Sequence, residues 1–143
     1  MMDPLIKNRK VLFTIVCREI NMTAIGASIR KKQFAVDAIQ QANEILGLSF
    51  SEVAEALGVH RRTVFRYRKL ESVPSAKVQE RLANIREISS LLDEAFINIA
   101  AQQEWLRDPV PMLGNCRPID LIRNGDFDGI ISTLAGLYSG TFI

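Results

Sequence analysis

Residues 48–70, LSFSEVAEALGVHRRTVFRYRKL, constrain the fold of this chain more than any other stretch. Apolar residues recur there at the spacing of one helical face, Gly58 interrupts the pattern, and a second short run carries Val64 and Tyr67 on its inner side. The small Ala54 allows the two runs to cross closely, and glycine readily takes the positive φ that a sharp corner requires. The stretch therefore predicts two short helices joined by one tight turn.

The second of these helices is basic on its outer side. Positions 56–70 contain four arginines and one lysine but no acidic residue. Such a helix suits the DNA major groove, where arginine binds guanine edges and phosphates. The offsets of the small and apolar residues predict a helix-turn-helix, although a helical hairpin with a solvated basic face is the alternative. The residues expected to contact DNA are Ser51, His60, Arg61, Arg62, Thr63, Arg66 and Arg68.

Charge is unevenly distributed along the chain, although the net charge is only +2. Positions 1–85 carry 14 basic and 8 acidic residues, a balance of +6, and positions 86–143 carry 4 basic and 8 acidic residues, a balance of −4. The affinity of proteins for DNA comes largely from phosphate contacts, which suit the basic part and not the acidic part. Two different partners are therefore expected.

Composition and the two cysteines limit the class of protein. Hydrophobic residues make up 48% of 143 residues, enough for a real core, and the few aromatic residues favour helices over a β-sandwich. Cys17 and Cys116 form no CxxC pair, so neither a disulfide nor a zinc site is indicated. The apolar run at 11–17 is too short to span a membrane, and charged residues follow it. A cytoplasmic protein without a metal or cofactor is expected.

No catalytic residue is predicted. His60 is the only histidine, and because it stands among arginines it is expected to contact a phosphate or cap the second helix. Asp126 and Asp128 follow a glycine that ends a helix, so they are interpreted as an N-cap and a first-turn charge. The chain has no glycine-rich loop of the kind that holds phosphates. An enzyme is not expected.

The neighbouring stretches also predict helices. Positions 35–46 place alanine, isoleucine and leucine on one helical face, and Gly47 ends the run. Ser49 or Ser51 is expected to cap the next helix. Beyond the basic helix, a proline interrupts the chain, and one long helix is expected over about 75–99. This long helix is expected to join two modules.

The last third of the chain predicts shorter helices. One closes at Trp105, and prolines then force an extended turn. Pro118 opens a short helix capped by Asn124 and Gly125, and the last helix spans about 127–138. The chain is thus expected to be all-α. Its expected divisions are an N-terminal arm of unclear structure at 1–33, a helix-turn-helix domain at 34–80 and a C-terminal domain at 81–143.

The C-terminal passage contains a series of spaced residues that together form a pattern, namely Trp105, Leu106, Pro109, Leu113, Gly114, Pro118, Asp120, Leu121, Gly125, Leu134 and Gly140. This pattern resembles that of the toxin-binding domain of Xre/ParS-type antitoxins. The pattern of that family is a Trp-Leu pair, a proline turn, Leu-Gly, a Pro-x-Asp-Leu helix start, a glycine and a last helix ending near glycine. Asn115 departs from the pattern where the family often repeats glycine, and the first 21 residues have no counterpart.

With the preceding helix-turn-helix, the resemblance covers roughly positions 35–143 and implies an Xre-like module followed by a small helical toxin-binding domain. It implies a type II antitoxin that binds a RES-type toxin, which resembles ADP-ribosyltransferases and consumes NAD, and that represses its own operon. A short helix-turn-helix reads few base pairs, so a homodimer on operator DNA is expected. The alternative is a stand-alone dimeric transcriptional regulator. The residues expected to reach the toxin are Asn124, Tyr138, Ser139, Thr141, Phe142 and Ile143, although Tyr138 also suits a core position.

Overall fold

The computed structural model describes residues 23–140, and this part of the chain is all-α, as the sequence predicts. A 3-10 turn spans Pro111–Leu113, and an isolated bridge between Val110 and Cys116 closes the loop around it. In chain order the helices of the described part are α1 (Thr23–Glu44), α2 (Phe50–Leu57), α3 (Arg61–Arg68), α4 (Ala76–Ala95), α5 (Ile99–Arg107), α6 (Pro118–Arg123) and α7 (Asp128–Ser139).

The helix α4 connects the two halves of the fold, because it packs against both α1 and α7. Its apolar residues Leu82, Ile85, Ile88 and Leu92 are completely buried. They belong to one continuous core that also takes residues from α1, α2, α3, α6 and α7. Burial of this kind is the main favourable term in folding. The two halves therefore share a core.

The corner between α2 and α3 has the geometry that the sequence predicts. Ser49 accepts a hydrogen bond from the Glu52 N–H at 3.2 Å, and the Glu52 carboxylate accepts one from the Ser49 N–H at 2.7 Å, so a capping box starts α2. Ser49 is therefore the cap, and the alternative Ser51 is not. Gly58 ends α2 with φ of 69°, and Val59 donates its N–H to the Ala54 carbonyl at 3.0 Å.

Three helix boundaries differ from the sequence-based prediction. The first helix begins at Thr23, well before position 35, because residues 23–34 continue the helix with only one glycine to weaken it. The predicted helix over 75–99 is two helices. Phe96 is extended and ends α4, and the Asn98 side chain accepts a hydrogen bond from the Ala101 N–H at 2.8 Å and caps α5.

The C-terminal turns follow the prediction at most positions. Gly114 and Asn115 have φ of 68° and 61°, so asparagine takes the left-handed conformation at the position where it departs from the family pattern. The N-cap residue of α7 was predicted incorrectly. Asp126 does not cap this helix: Phe127 is the N-cap and makes no side-chain capping bond, whereas Asp128 lies in the first turn as expected.

The predicted division of the chain stays a prediction. Most of the N-terminal arm, residues 1–22, lies outside the described residues, and α1 runs without a break across positions 33 and 34. Likewise α4 runs across positions 80 and 81. None of the described helices is both long enough and apolar enough to cross a membrane.

Candidate nucleic-acid and partner-binding surfaces

The helix α3 is anchored to the core by two residues on its inner side. Val64 is completely buried and Tyr67 is 5% exposed. Burial raises the pKa of Tyr67, and the nearby charge of Arg66 offsets part of this increase. Because the phenol is fixed in the core, the direction in which α3 faces is set by packing and not by its charged residues.

The residues predicted to contact DNA lie mainly on the solvent side. Ser51 and His60 are exposed, and Thr63 is partly buried. His60 is the N-cap residue of α3, but its side chain makes no capping hydrogen bond, so it does not cap the helix through its ring. The four predicted arginines are all exposed, namely Arg61, Arg62, Arg66 and Arg68.

These arginines fall into two groups. The guanidinium of Arg68 lies 4.4 Å from the ring centroid of Phe50, and that of Arg61 lies 5.5 Å from the ring centroid of Phe65. Such cation–π contacts orient a guanidinium without neutralising it. Within residues 23–140, Arg62 and Arg66 form no salt bridge and lie over no ring. Both groups therefore keep their charge for an anionic partner.

Sequence reasoning did not select two residues on this surface, Phe65 and Lys69. Lys69 is the residue that ends α3, and with Arg62, Phe65 and Arg66 it follows the spacing i, i+3, i+4 and i+7, which is that of one helical face. This face lies opposite Val64 and Tyr67. The helical spacing alone could have identified both residues.

The two halves of the chain meet through polar contacts beside the α2–α3 corner. Arg123 on α6 donates to the Glu55 carboxylate on α2 at 2.6 Å. This hydrogen bond lowers the pKa of Glu55; desolvation opposes it, and the charge of Arg123 lowers the pKa further. The same hydrogen bond and the charge of Glu55 raise the pKa of Arg123. A further arginine, Arg81 on α4, donates to the buried Ala56 carbonyl at 3.0 Å.

The residues predicted to reach a toxin lie in two places. Asn124 is exposed at the end of α6, beside the Arg123–Glu55 pair. Tyr138 is 64% exposed near the end of α7, so it is a surface residue and not part of the core. The Ser139 hydroxyl next to it donates to the Gly136 carbonyl at 3.2 Å. The other three predicted residues, Thr141, Phe142 and Ile143, lie outside the described residues.

Several large apolar side chains of the C-terminal half are exposed to solvent. Leu137 is 44% exposed beside Tyr138, and Met112 in the 3-10 turn is 49% exposed. Ile97, between α4 and α5, is fully exposed. Exposed large apolar residues are common contact points for other proteins when they are grouped. Of these, Leu137 lies directly next to the predicted contact residue Tyr138.

Comparison with known proteins is consistent with this arrangement. Residues 27–72 match the model of the Homeodomain-like domain family. The chain is 26% identical over 105 residues to the mycobacterial cidal antitoxin MbcA of Mycobacterium tuberculosis H37Rv, and equally to that of Mycobacterium bovis. The match covers 73% of this chain and 92% of MbcA.

The fold is also similar to that of a chain in the crystal structure of the M. tuberculosis MbcT–MbcA toxin–antitoxin complex. The TM-score is 0.60 at 24% identity, and the match covers 76% of this chain and 96% of the other. The resemblance that the sequence indicated is therefore confirmed: the chain carries a homeodomain-like helix-turn-helix and is similar over most of its length to an antitoxin of a toxin–antitoxin system.

Proposed function

We propose that the chain is an antitoxin that binds a toxin protein directly and neutralises it, and that represses its own operon by binding DNA. The observation that carries this proposal is the 105-residue similarity to MbcA. A match of 105 residues in a chain of 143 residues must extend into both the helix-turn-helix domain and the C-terminal half, because neither part is long enough to contain it. The proposed activity is therefore supported by both halves of the chain.

The DNA-binding part of the proposal is supported by α3. Its exposed arginines are either free of partners among the described residues or held over aromatic rings, so none of them is neutralised by a carboxylate. A major-groove helix needs such donors for guanine edges and phosphates. Because α3 has only eight residues, one copy reads few base pairs, and we propose that a homodimer binds two half-sites about one helical turn apart.

The toxin-binding part of the proposal is placed on the C-terminal half. This half is acidic, and Leu137 and Tyr138 expose apolar surface beside each other. An aromatic anchor next to apolar surface is a typical centre of a protein interface. We propose a toxin of the RES type, which consumes NAD, and we propose that Tyr138 and Asn124 take part in blocking its active site. The chain itself supplies no catalytic step in this scheme.

A direct test uses the product of the gene that adjoins the gene for this chain. The two proteins are co-expressed and purified, and the consumption of NAD by the partner is measured with increasing amounts of the chain. We expect a stable complex and stoichiometric loss of NAD consumption. A partner that binds but consumes no NAD would refute the RES assignment alone. If no complex forms and the chain still binds its own upstream DNA, the chain is instead a stand-alone regulator.

A further inference from the structure

The outward face of α3 contains one apolar residue among basic ones. Arg62, Phe65 and Arg66 on α3, and Lys69 at its C-terminal end, follow the spacing i, i+3, i+4 and i+7, on the side away from the buried Val64. A phenylalanine in this position is unexpected if the face serves only to attract phosphates, since phosphate contacts need charge or hydrogen-bond donors. The role of Phe65 is therefore a question separate from that of the arginines.

The ring of Phe65 is held in place by its neighbours. Its centroid lies 5.3 Å from that of Phe50, with the two planes at 56°. The guanidinium groups of Arg61 and Arg68 lie 5.5 Å and 5.9 Å from the same centroid. The side chain is only partly buried, so part of it remains exposed. An aromatic side chain held in this way loses little conformational entropy when it makes a new contact.

One group in the major groove suits a fixed apolar surface. Base edges there present hydrogen-bond donors and acceptors, apart from the C5 methyl group of thymine. We propose that Phe65 is a specificity-determining residue that contacts a thymine methyl group in each half-site of the operator. Arg62 and Arg66, which flank Phe65 on the same face, then contact neighbouring base edges or phosphates. This inference rests on the proposed binding of DNA by α3.

The alternative is that Phe65 only covers Phe50 and contacts no base. Both interpretations predict that removal of the ring lowers the stability of the protein or its affinity for DNA, so the affinity of an alanine variant for one site does not separate them. A change in the DNA does. Replacing thymine by deoxyuridine removes the C5 methyl group and leaves base pairing unchanged, so it tests the contact without altering the protein.

The test begins with selection of binding sites by the full-length chain from a pool of randomised duplexes. Each thymine of the selected site is then replaced in turn by deoxyuridine, and the dissociation constant is measured by fluorescence anisotropy. We expect one position per half-site at which the replacement weakens binding about fourfold, the value of one buried methyl group at about 0.8 kcal/mol. Replacement in both half-sites is expected to weaken binding by about 15-fold.

Protein variants connect this effect to Phe65. We expect Phe65→Gln, which keeps a long side chain and helix propensity, to bind thymine and deoxyuridine sites equally well. The same result is expected for Phe65→Ala, and circular dichroism checks that each variant is folded. Arg66→Ala is the matched control on the same face: it is expected to bind more weakly to both sites and to keep the fourfold difference between them.

Three results would overturn the proposal. If no thymine of the selected site shows the effect, Phe65 reads no methyl group, while DNA binding by α3 stands. If folded Phe65→Gln keeps the full fourfold difference, another residue contacts the methyl group. If the full-length chain selects no DNA sequence, both this inference and the DNA-binding part of the proposed function are wrong.

Discussion

Arg81 lies on α4 between two glycines of positive φ, and its removal is expected to destabilise both halves of the chain together. Its guanidinium donates to the Ala56 carbonyl at 3.0 Å, at the end of α2. Cβ atoms built on Gly58 and on Gly125 would each lie 3.0 Å from its Nη1 atom. Arg81 therefore fills the space between the helix-turn-helix corner and the loop between α6 and α7.

The loss of stability expected for Arg81→Ala follows from one hydrogen bond and from the partial burial of the side chain. A hydrogen bond with a charged donor contributes about 1.5–3 kcal/mol, and the buried Ala56 carbonyl would lose its charged partner in Arg81→Ala. Arg81 is partly exposed, and the freed side chain regains conformational entropy, so the lower end of this range applies. We expect a loss of about 1.5 kcal/mol in the free energy of unfolding. For a chain of this size that corresponds to about 5 °C in Tm.

The assay is urea unfolding followed by circular dichroism, with Lys77→Ala as control. Lys77 is exposed on the same helix, one turn before Arg81. We expect Arg81→Ala to lower the urea midpoint without changing the m-value, and the control to change stability by less than about 0.5 kcal/mol. Equal stability of the two variants would show that the contact between Arg81 and the Ala56 carbonyl contributes nothing.

A second substitution tests the packing of Arg81 against Gly125. Gly125→Ala imposes a side chain on a residue with φ of 78°, at about 1–2 kcal/mol, and forces the guanidinium to move. In the Arg81→Ala background only the backbone cost remains, so the double variant should be more stable than the sum of the single losses predicts, by about 0.5–1 kcal/mol. Strict additivity would refute the close packing.

Four further variants test the two surfaces and the Arg123–Glu55 pair. Arg62→Ala should weaken binding to the selected operator by ~1–3 kcal/mol if this arginine reads a base, whereas Arg66→Ala should reduce the salt dependence of binding by about one phosphate contact; unchanged affinity and salt slope in both would refute DNA binding by α3. Tyr138→Ala should lower affinity for the toxin by about 10-fold or more without changing Tm, because the ring is exposed, as calorimetry would show. Arg123→Met should return the Glu55 pKa to its ordinary range. The folded-state pKa of Glu55 is lowered, so the stability that this pair contributes is present above the unfolded-state pKa and is lost as pH falls through the folded-state pKa. The difference in Tm between wild type and Arg123→Met should therefore disappear in acid. A difference that stays unchanged in acid would refute the pairing.

The sequence predicts the helix-turn-helix well because its signals are local. Ala54, Gly58 and Val64 each have one physical role in a tight corner, and the structure places all three as the spacing requires. The break in the predicted helix over 75–99 was missed because no proline or glycine marks it. Asn98 is the N-cap of α5, but the spacing of apolar residues does not distinguish an asparagine that caps a helix from one inside a helix.

The contacts between the halves could not be predicted from the sequence at all. The Arg123–Glu55 pair and the Arg81–Ala56 hydrogen bond join residues 68 and 25 positions apart. Their partners depend on how α4 and α6 pack, which periodicity does not give. Because the two halves share a core, neither half can be removed without exposing apolar side chains of the other. A truncation after Ile99 would expose the buried side of α4, where α7 packs, so point variants of the full-length chain are the sound choice.

We propose that one folded chain presents a DNA-binding surface on α3 and a separate toxin-binding surface on its C-terminal half. The most direct measurement is growth of cells that express the toxin from the adjoining gene, together with variants of this chain, each from an unrelated promoter. We predict full rescue by wild type and by the Arg62→Ala, Arg66→Ala double variant, and reduced rescue by the Tyr138→Ala, Asn124→Ala double variant. Failure of wild type to restore growth, or loss of rescue only in the arginine variant, would contradict the claim.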